Sequence, residues 1–305
     1  MTDYNRFIAK RINKVPTSGI RRFFGIAEKM PDVISLCIGE PDFPTPAPIA
    51  KAGFDAVYDK PIGYTANSGL IELREKLSEH LKNLYAVYYD PEDEIVITVG
   101  VSEAVKCVFT SILNEGDEVI IPEPCFVSYE PEVLFAGGVP VPVECLAEND
   151  FEPLAAQIEE KITPKTKAIF MGFPNNPTGA DAPPLDYLQK IVDFAKKHEI
   201  MIISDMAYSE IYDPKGQKPH SILEIPGAID RTIELYSMSK MAAVPEARLG
   251  FAVGNPLYIR QLSAKIGSSL TANQMTQAAG NADGQFAHHC GRVFALQFLP
   301  VANAA

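Results

Sequence analysis

The chain has 305 residues, of which 47% are hydrophobic and 22% are charged, with 39 acidic against 27 basic side chains. A chain of this length buries a full-sized hydrophobic core, and this balance of apolar and charged residues excludes global disorder. The formal net charge of −12 excludes a broad electrostatic surface for nucleic acid or an anionic membrane, although a local pocket can still bind an anion.

The first part of the chain predicts little regular structure. Up to about Pro61 we expect an arm and irregular segments, with one helix near residues 49–58. Leucines then recur at helical spacing between Gly69 and Leu84, which predicts a second helix. From Glu94 onward the pattern changes to short apolar runs separated by amphipathic segments.

This alternation predicts the fold class. The predicted strands are EIVITV, DEVIIP, VPVPV, KAIFMGF, IMIIS, TIELYS and LGFAVG. The predicted helices between them cover residues 102–113, 128–135, a stretch from 154, and 185–197. Alternating strands and helices indicate an α/β domain, with a mostly parallel sheet and helices on both faces.

The cysteines and the N-terminal residues indicate the cellular compartment of the protein. Five scattered cysteines, an odd number, favour a reducing compartment over a disulfide framework. The first residues show no apolar core of the signal-peptide type, and no apolar run approaches the roughly 18 residues of a membrane span. We therefore expect a cytoplasmic protein without nucleic-acid or membrane partners.

Residues that can bind ligands or take part in catalysis follow the ends of several predicted strands, where open α/β sheets bind ligands. They are Val101, Ser102, Phe126, Asn176, Asp205, Tyr208, Ser237, Ser239, Lys240 and Arg248. Each alone is typical of a helix cap, a turn, a solvated surface or a core position. Together they offer an anion site, a lysine, an isolated carboxylate and a flat aromatic ring. Pyridoxal 5'-phosphate requires all four of these groups.

Seven segments resemble the class I/II aminotransferases, a family of pyridoxal-phosphate enzymes of fold type I. In the order and spacing of that family they are ISLCIGEPDFPTP, GYTANSGLIELREKL, ITVGVSEA, IPEPCFVSYEP, FPNNPTGA, ISDMAYSEIY and SMSKMAAVPEARLGF. The resemblance covers roughly residues 34–271. It implies an N-terminal arm and small-domain segment over residues 1–45 and a large cofactor-binding domain over residues 46–262. The start of an interdomain helix and an atypical tail would follow over residues 263–305.

The resemblance assigns catalytic roles to matching residues. Lys240 matches the lysine that forms a Schiff base with the cofactor and then shuttles a proton. Asp205 matches the carboxylate paired with the pyridinium nitrogen. Asn176 and Tyr208 match the groups that hydrogen-bond the phenolic oxygen of the ring. Phe126 matches the aromatic residue that stacks on the ring.

The same resemblance implies binding sites for the phosphate group and for the substrate. The phosphate site would comprise Val101, Ser102, Ser237, Ser239 and Arg248. Tyr64 matches a tyrosine that reaches the phosphate group of the neighbouring subunit, so a homodimer is expected. Gly39 matches the backbone position that receives the substrate carboxylate, and Asn176 is a second candidate for substrate binding. No metal is expected.

Three positions near the matched residues depart from the family pattern. Met206 follows the aspartate where glutamate is common. Pro245-Glu246 replaces the usual T-G before the phosphate arginine, and Val101 stands where glycine or alanine is usual. Because the charged anchors persist, we interpret the first two differences as marks of a subfamily; Val101 matters less, since it still offers its backbone amide.

The resemblance fades after about Ala272, so the chain is interpreted as a member that is truncated or aberrant at its C-terminal end. Family members continue into a small domain that supplies the arginine for the substrate α-carboxylate, and Arg292 does not match it. His288, His289 and Cys290 suggest a metal site, but adjacent histidines do not readily share one ion with good geometry.

The leading functional hypothesis is an aminotransferase that moves an amino group between an amino acid and a 2-oxo acid. One alternative is a shortened chain that binds the cofactor without turnover. Another is a C–S lyase of the same fold type, because the cofactor anchors do not distinguish the two reactions. A nicotinamide enzyme is excluded because no G-x-G-x-x-G motif follows the first strand. A phosphate-loop NTPase is excluded because the sequence lacks G-x-x-x-x-G-K-[ST]. The sequence does not specify the amino acid.

Overall fold

A seven-stranded sheet forms the centre of the molecule. The computed structural model describes residues 4–15, 19–27, 29–30, 32–33, 39, 44–58, 63–212, 216–268 and 271–281. The strands are β1 (Ile95–Thr98), β2 (Glu118–Glu123), β3 (Val139–Glu144), β4 (Thr166–Gly172), β5 (Met201–Asp205), β6 (Thr232–Ser237) and β7 (Gly250–Gly254). Their order in the sheet is β1-β7-β6-β5-β4-β2-β3. Strand β7 runs antiparallel to β1 and β6, and the other pairs are parallel, which confirms the predicted mostly parallel sheet.

Helices cover both faces of this sheet. They are α1 (Ile20–Ala27), α2 (Ala47–Tyr58), α3 (Ile71–Tyr85), α4 (Gly100–Ile112), α5 (Tyr129–Phe135), α6 (Ala155–Glu160), α7 (Leu185–His198), α8 (Met238–Met241), α9 (Pro256–Gly267) and α10 (Gln274–Gly280). Successive residues of β1 enter different hydrophobic clusters, because strand side chains alternate between the two faces. Ile97 packs in one cluster with Leu73 of α3 and Ile191 of α7. Val96 packs in the other cluster, as does Val105 of α4. None of the helices in the described ranges is long and apolar enough to cross a membrane.

Helix α1 corrects the prediction that the region before residue 49 is irregular. This helix has no acidic residue in its first turn and no basic residue in its last turn. The sequence therefore lacks the charge pattern that usually marks helix ends. The domain limits expected at residues 45/46 and 262/263 stay predictions; α9 runs across the second of them.

Strand β7 passes very close to the first turn of α4. A Cβ atom on Gly250 would lie 2.7 Å from the carbonyl carbon of Gly100, 2.8 Å from Tyr236 O and 2.9 Å from Val101 N. All three are backbone atoms, which cannot swing aside as a side chain can. Glycine at position 250 is therefore required for β7 to lie beside the N-terminus of α4.

Gln277 joins α10 to the segment between α2 and α3. Its side chain is fully buried. Its Oε1 atom accepts a hydrogen bond from Leu70 N at 2.7 Å, and its Nε2 atom donates to Thr65 Oγ1 at 3.1 Å and to Ala272 O at 2.6 Å. One side chain thus fixes the 63–70 segment, which carries Tyr64, against the end of the described chain.

We expect Gly250→Ala to destabilise the fold by roughly 1–3 kcal/mol, because the added methyl group overlaps backbone atoms. Urea unfolding followed by circular dichroism measures this loss. Gly25→Ala in α1 is the control, since among the described residues no atom beyond its own helix backbone and its chain neighbours lies within 4 Å of its Cβ position. Alanine is favoured over glycine in helices by about 1 kcal/mol, so the control should be neutral or slightly stabilising. Equal stability of the Gly250 variant and the native chain would contradict the steric argument.

We expect Gln277→Ala to lower the free energy of unfolding by roughly 1–3 kcal/mol, because Leu70 N loses its acceptor. Hydrogen exchange at the Leu70 amide should accelerate as well. Gln274→Ala is the matched control, since Gln274 Oε1 accepts only a longer bond, of 3.2 Å, from Gly63 N at an exposed position. Exchange rates that change equally in both variants would refute a specific clamp by Gln277.

Candidate active site

Asp205 is the last residue of β5, and only 4% of its surface is exposed. Its Oδ2 atom accepts a hydrogen bond from Tyr129 Oη at 2.8 Å, and its Oδ1 atom accepts one from Ala207 N at 2.9 Å. Burial raises the pKa of this carboxyl group to about 6, while the two hydrogen bonds act in the opposite direction. A buried carboxylate with a displaced pKa at a strand end is typical of a functional site.

Tyr129 connects Asp205 with Phe126. It is the first residue of α5, and its ring centroid lies 4.2 Å from that of Phe170 and 5.6 Å from that of Phe126. Gly172 leaves room for the phenol, because a Cβ atom there would lie 3.2 Å from Tyr129 Oη. The sequence analysis missed Tyr129. Its position three residues after Phe126, inside a segment already matched to the family, was the available signal.

Asn176 and Tyr208 meet beside this carboxylate. The turn after β4 is shaped by Asn175, whose Oδ1 atom accepts hydrogen bonds from Thr178 N at 3.1 Å and Thr178 Oγ1 at 2.8 Å. Asn176 Nδ2 then donates to Tyr208 Oη at 2.9 Å. Burial raises the pKa of Tyr208, the bond from Asn176 lowers it, and the nearby charge of Asp205 raises it again. The phenol is therefore protonated at neutral pH.

Lys240 lies in the short helix α8, directly after β6. Its Nζ atom is 5.9 Å from the centroid of the Tyr208 ring and donates a hydrogen bond to Gly39 O. The structure thus brings together four residues that the sequence analysis selected from separate segments: Gly39, Asn176, Tyr208 and Lys240.

Arg248, the first turn of α4 and two serines lie together where the sequence predicts an anion site. The predicted members of this site are Val101, Ser102, Ser237, Ser239 and Arg248. A Cβ atom on Gly100 would lie 2.6 Å from Arg248 Nη2, so the guanidinium group packs directly against the start of α4. The first turn of a helix has unpaired N–H groups and a positive dipole end, and Arg248 adds a full positive charge.

The backbone before Arg248 contains Pro245-Glu246, the pair that departs from the family pattern. Pro245–Ala247 forms a 3-10 helix that begins with the proline, and Arg248 closes it in the left-handed conformation, with φ of +49°. Arg248 Nη1 donates to Pro245 O at 3.3 Å. The segment that contains Pro245-Glu246 is thus a 3-10 helix, and the arginine at its end contacts α4.

The two serines lie at the end of β6. Ser237 caps α8, and its Oγ atom accepts a hydrogen bond from Ser239 N at 3.3 Å. Ser237 pairs with Gly250 in the β6–β7 register, which places the serines next to the α4 contact. Ser239 Oγ is buried and has no hydrogen-bond partner within the described part of the chain. A buried hydroxyl group without a partner is costly, so the site is suited to an added acceptor.

Glu234, on the neighbouring strand β6, is a second buried carboxylate, which the sequence analysis did not notice. Ser221 Oγ donates to both of its oxygen atoms at 2.9 Å, Ile222 N donates to Oε1 at 3.0 Å, and Tyr236 Oη donates to Oε2 at 2.7 Å. Burial raises the pKa of Glu234 to about 7, against the effect of these donors.

Tyr64 lies on the surface of the described part of the chain. The side chain of Tyr64 is fully exposed on the segment that Gln277 holds. Its role at a neighbouring subunit stays a prediction. The residues considered for a metal or for the substrate carboxylate, His288, His289, Cys290 and Arg292, lie outside the described residues.

The chain has similar sequences among known proteins. The family described as "Aminotransferase class I and II" matches residues 31–286. The putative aminotransferase YugH of Bacillus subtilis is 41% identical over 267 residues, which are 87% of this chain and 67% of that protein. Aromatic-amino-acid aminotransferase 2 of Thermococcus litoralis is 40% identical over 245 residues, which are 80% of this chain and 62% of that protein. The chain therefore spans about two thirds of the length of these relatives.

A solved structure shows the same architecture. A double mutant of aspartate aminotransferase from Thermus thermophilus superposes with a TM-score of 0.87 at 30% sequence identity, covering 97% of this chain and 76% of the other. The chain thus matches this family in sequence over most of its length and in fold. The chain belongs to the class I and II aminotransferase family.

Proposed function

We propose that this chain is a pyridoxal-phosphate-dependent aminotransferase that moves an amino group between an amino acid and a 2-oxo acid. The observation that carries the proposal is the convergence of Lys240, the buried Asp205 and an anion site at one edge of the sheet. Two relatives support the reaction class through their names, one an aromatic-amino-acid aminotransferase and the other an aspartate aminotransferase.

The residues at this edge fit pyridoxal phosphate. The amides of Val101 and Ser102, the serines 237 and 239, and Arg248 would hold the phosphate group. The hydroxyl group of Ser239 has no hydrogen-bond partner among the described residues, which supports this fit, because a phosphate oxygen would accept its hydrogen bond. The guanidinium group of Arg248 can pair with two phosphate oxygens at once.

The remaining groups fit the ring of the cofactor. Asp205 would pair with the ring nitrogen, Phe126 would stack on the ring face, and Tyr208 with Asn176 would hold the phenolic oxygen. The Asn176–Tyr208 hydrogen bond and the Tyr129–Asp205 hydrogen bond already fix these side chains. When bound, the cofactor supplies an electron sink for the electrons released at the substrate Cα atom.

The chain's own groups would then bind, orient and move a proton. Lys240 Nζ takes the proton from the substrate and returns it, which requires an amine held near the reacting atom. The contact of Lys240 with Gly39 O and the Tyr208 ring keeps this amine at the mouth of the site. Gly39 receives the substrate carboxylate in this proposal, with Asn176 as a second contact.

We further propose that the protein works as a cytoplasmic homodimer with amino-acid and 2-oxo-acid substrates. The exposed Tyr64 supports the dimer, since its side chain is available to reach the phosphate group held by a neighbouring subunit. The clamp by Gln277 would keep the Tyr64 segment in place for this contact.

Lys240→Ala tests the reaction. With pyridoxal phosphate added, the native chain should show a visible absorbance band that decays when a donor amino acid is supplied and form a 2-oxo acid product. The alanine variant should lose more than about 100-fold in rate, because the proton-transfer group is removed. Lys190→Ala, on the exposed side of α7, is the control and should behave as the native chain.

The outcomes of this experiment separate the alternatives. A native band that does not respond to any amino acid would indicate cofactor binding without turnover. Release of a thiol from a sulfur amino acid without a 2-oxo acid acceptor would instead indicate a C–S lyase. A spectrum that is identical in the native chain and the Lys240 variant would refute the cofactor assignment.

Arg248→Gln tests the phosphate site. The variant should bind pyridoxal phosphate roughly 10- to 100-fold more weakly, because a hydrogen bond to a charged group contributes about 1.5–3 kcal/mol. Its affinity for pyridoxal, which lacks the phosphate group, should change little. Arg260→Gln, at an exposed position of α9, is the control. Equal losses for both ligands would contradict a phosphate role for Arg248.

A further inference from the structure

We propose that Tyr129 is a positioning residue for Asp205: its hydroxyl group fixes the carboxylate in one orientation and favours the ionised form that a cationic ring nitrogen requires. This inference rests on the proposed function, because the ring nitrogen belongs to the proposed cofactor. It assigns a task to a residue that the sequence analysis did not select.

The geometry at Asp205 carries the proposal. Tyr129 Oη donates to Oδ2 at 2.8 Å, and Ala207 N donates to Oδ1 at 2.9 Å. Each oxygen of an ionised carboxylate has two acceptor positions, so both oxygens keep one position for a further donor. Two donors on two different oxygens prevent rotation of the group and favour its charged form.

The packing around Tyr129 holds the hydroxyl in place. Its ring lies against Phe170, with centroids 4.2 Å apart, and edge-on to Phe126 at 5.6 Å. Gly172 pairs with Asp205 in the β4–β5 register, and its missing side chain leaves the space that the phenol fills. One aromatic ring therefore contacts Phe126, the proposed stacking residue, and bonds to Asp205, the proposed partner of the ring nitrogen.

The groups around Tyr129 and Asp205 keep the Tyr129 hydroxyl group protonated, so that it stays a hydrogen-bond donor. Burial raises the pKa of Tyr129 well above its usual range, and the charge of Asp205 acts in the same direction, so the hydroxyl keeps its proton. The other titratable groups that face the pair are Tyr208 and Cys125. The pKa of Tyr208 is raised, and burial raises the pKa of the Cys125 thiol to about 12, so both are neutral at physiological pH. Lys240 Nζ lies 5.9 Å from the centroid of the Tyr208 ring.

Tyr129→Phe tests the role, because it keeps the packed ring and removes only the hydroxyl. In the cofactor-free chain, the pKa of Asp205 should rise by about one pH unit, since loss of a donor favours the neutral carboxyl group. Difference infrared spectroscopy of the carboxyl band against pH measures this rise, with Asp205→Asn to assign the band. In the loaded protein, the acidic limb of the pH profile should move upward by the same amount, and cofactor affinity should fall about 10-fold below that limb.

Tyr187→Phe is the matched control. The hydroxyl group of Tyr187 is buried and has no partner within the described residues, so its loss removes a hydroxyl group without touching Asp205. This variant should leave the Asp205 titration unchanged. The infrared titration needs no bound cofactor. It can therefore refute the role of Tyr129 while the cofactor assignment stands, and it can support that role even if the cofactor assignment is refuted.

A second variant keeps the test decisive if Tyr129→Phe does not fold. Site-specific 3-fluorotyrosine in place of Tyr129 retains the hydroxyl and makes it a stronger donor, so the pKa of Asp205 should fall. An unchanged titration of Asp205 in either folded variant would overturn the proposal. A loss of activity that is uniform across pH, with no movement of the acidic limb, would show a purely structural role and would also overturn it.

Discussion

The backbone contact between β7 and the first turn of α4 is the constraint that brings the residues of the proposed anion site together. Gly250 admits Gly100 and Val101 at distances that no other residue would allow. The β6–β7 register pairs Gly250 with Ser237, which brings Ser237 at the end of β6 and Ser239 in α8 toward the N-terminus of α4. Arg248 lies two residues before Gly250. Donors from three separate parts of the chain therefore converge because one position lacks a side chain.

The second organising feature is the carboxyl group of Asp205, which is buried at the end of β5 where burial disfavours its charged form. The raised pKa of Asp205, about 6, means that the folded state prefers the neutral carboxyl group. Its contribution to stability is therefore present at low pH and is lost as the pH rises through about 6. A chain selected only for stability would avoid an ionised carboxylate here. A cationic ring nitrogen would compensate the cost, which is why burial at this position favours a functional interpretation.

The sheet could be predicted from the sequence because its strands are short apolar runs flanked by polar residues. The position of Asp205, Asn176 and Lys240 at or just after strand ends could be predicted for the same reason, and their roles stay predictions. The sequence did not predict Tyr129 or Gln277. The bond from Tyr129 reaches Asp205 across 76 residues, and the bond to Gln277 reaches Leu70 across 207. Such pairings depend on the three-dimensional arrangement of the strands, which local pattern does not contain.

Two buried carboxylates on adjacent strands show why burial alone does not identify the site. Glu234 receives hydrogen bonds from Ser221, Ile222 and Tyr236, so each of its oxygens has two donor contacts within the chain, with the Ser221 hydroxyl group shared between them. Asp205 receives one donor on each oxygen and stands at the end of its strand, where parallel strands present ligands. Glu234 thus joins the loop at residues 221–222 to the sheet, whereas Asp205 keeps acceptor capacity for a group that the chain does not provide. This unused acceptor capacity, rather than the displaced pKa that both residues share, is why we propose a cofactor contact for Asp205 and not for Glu234.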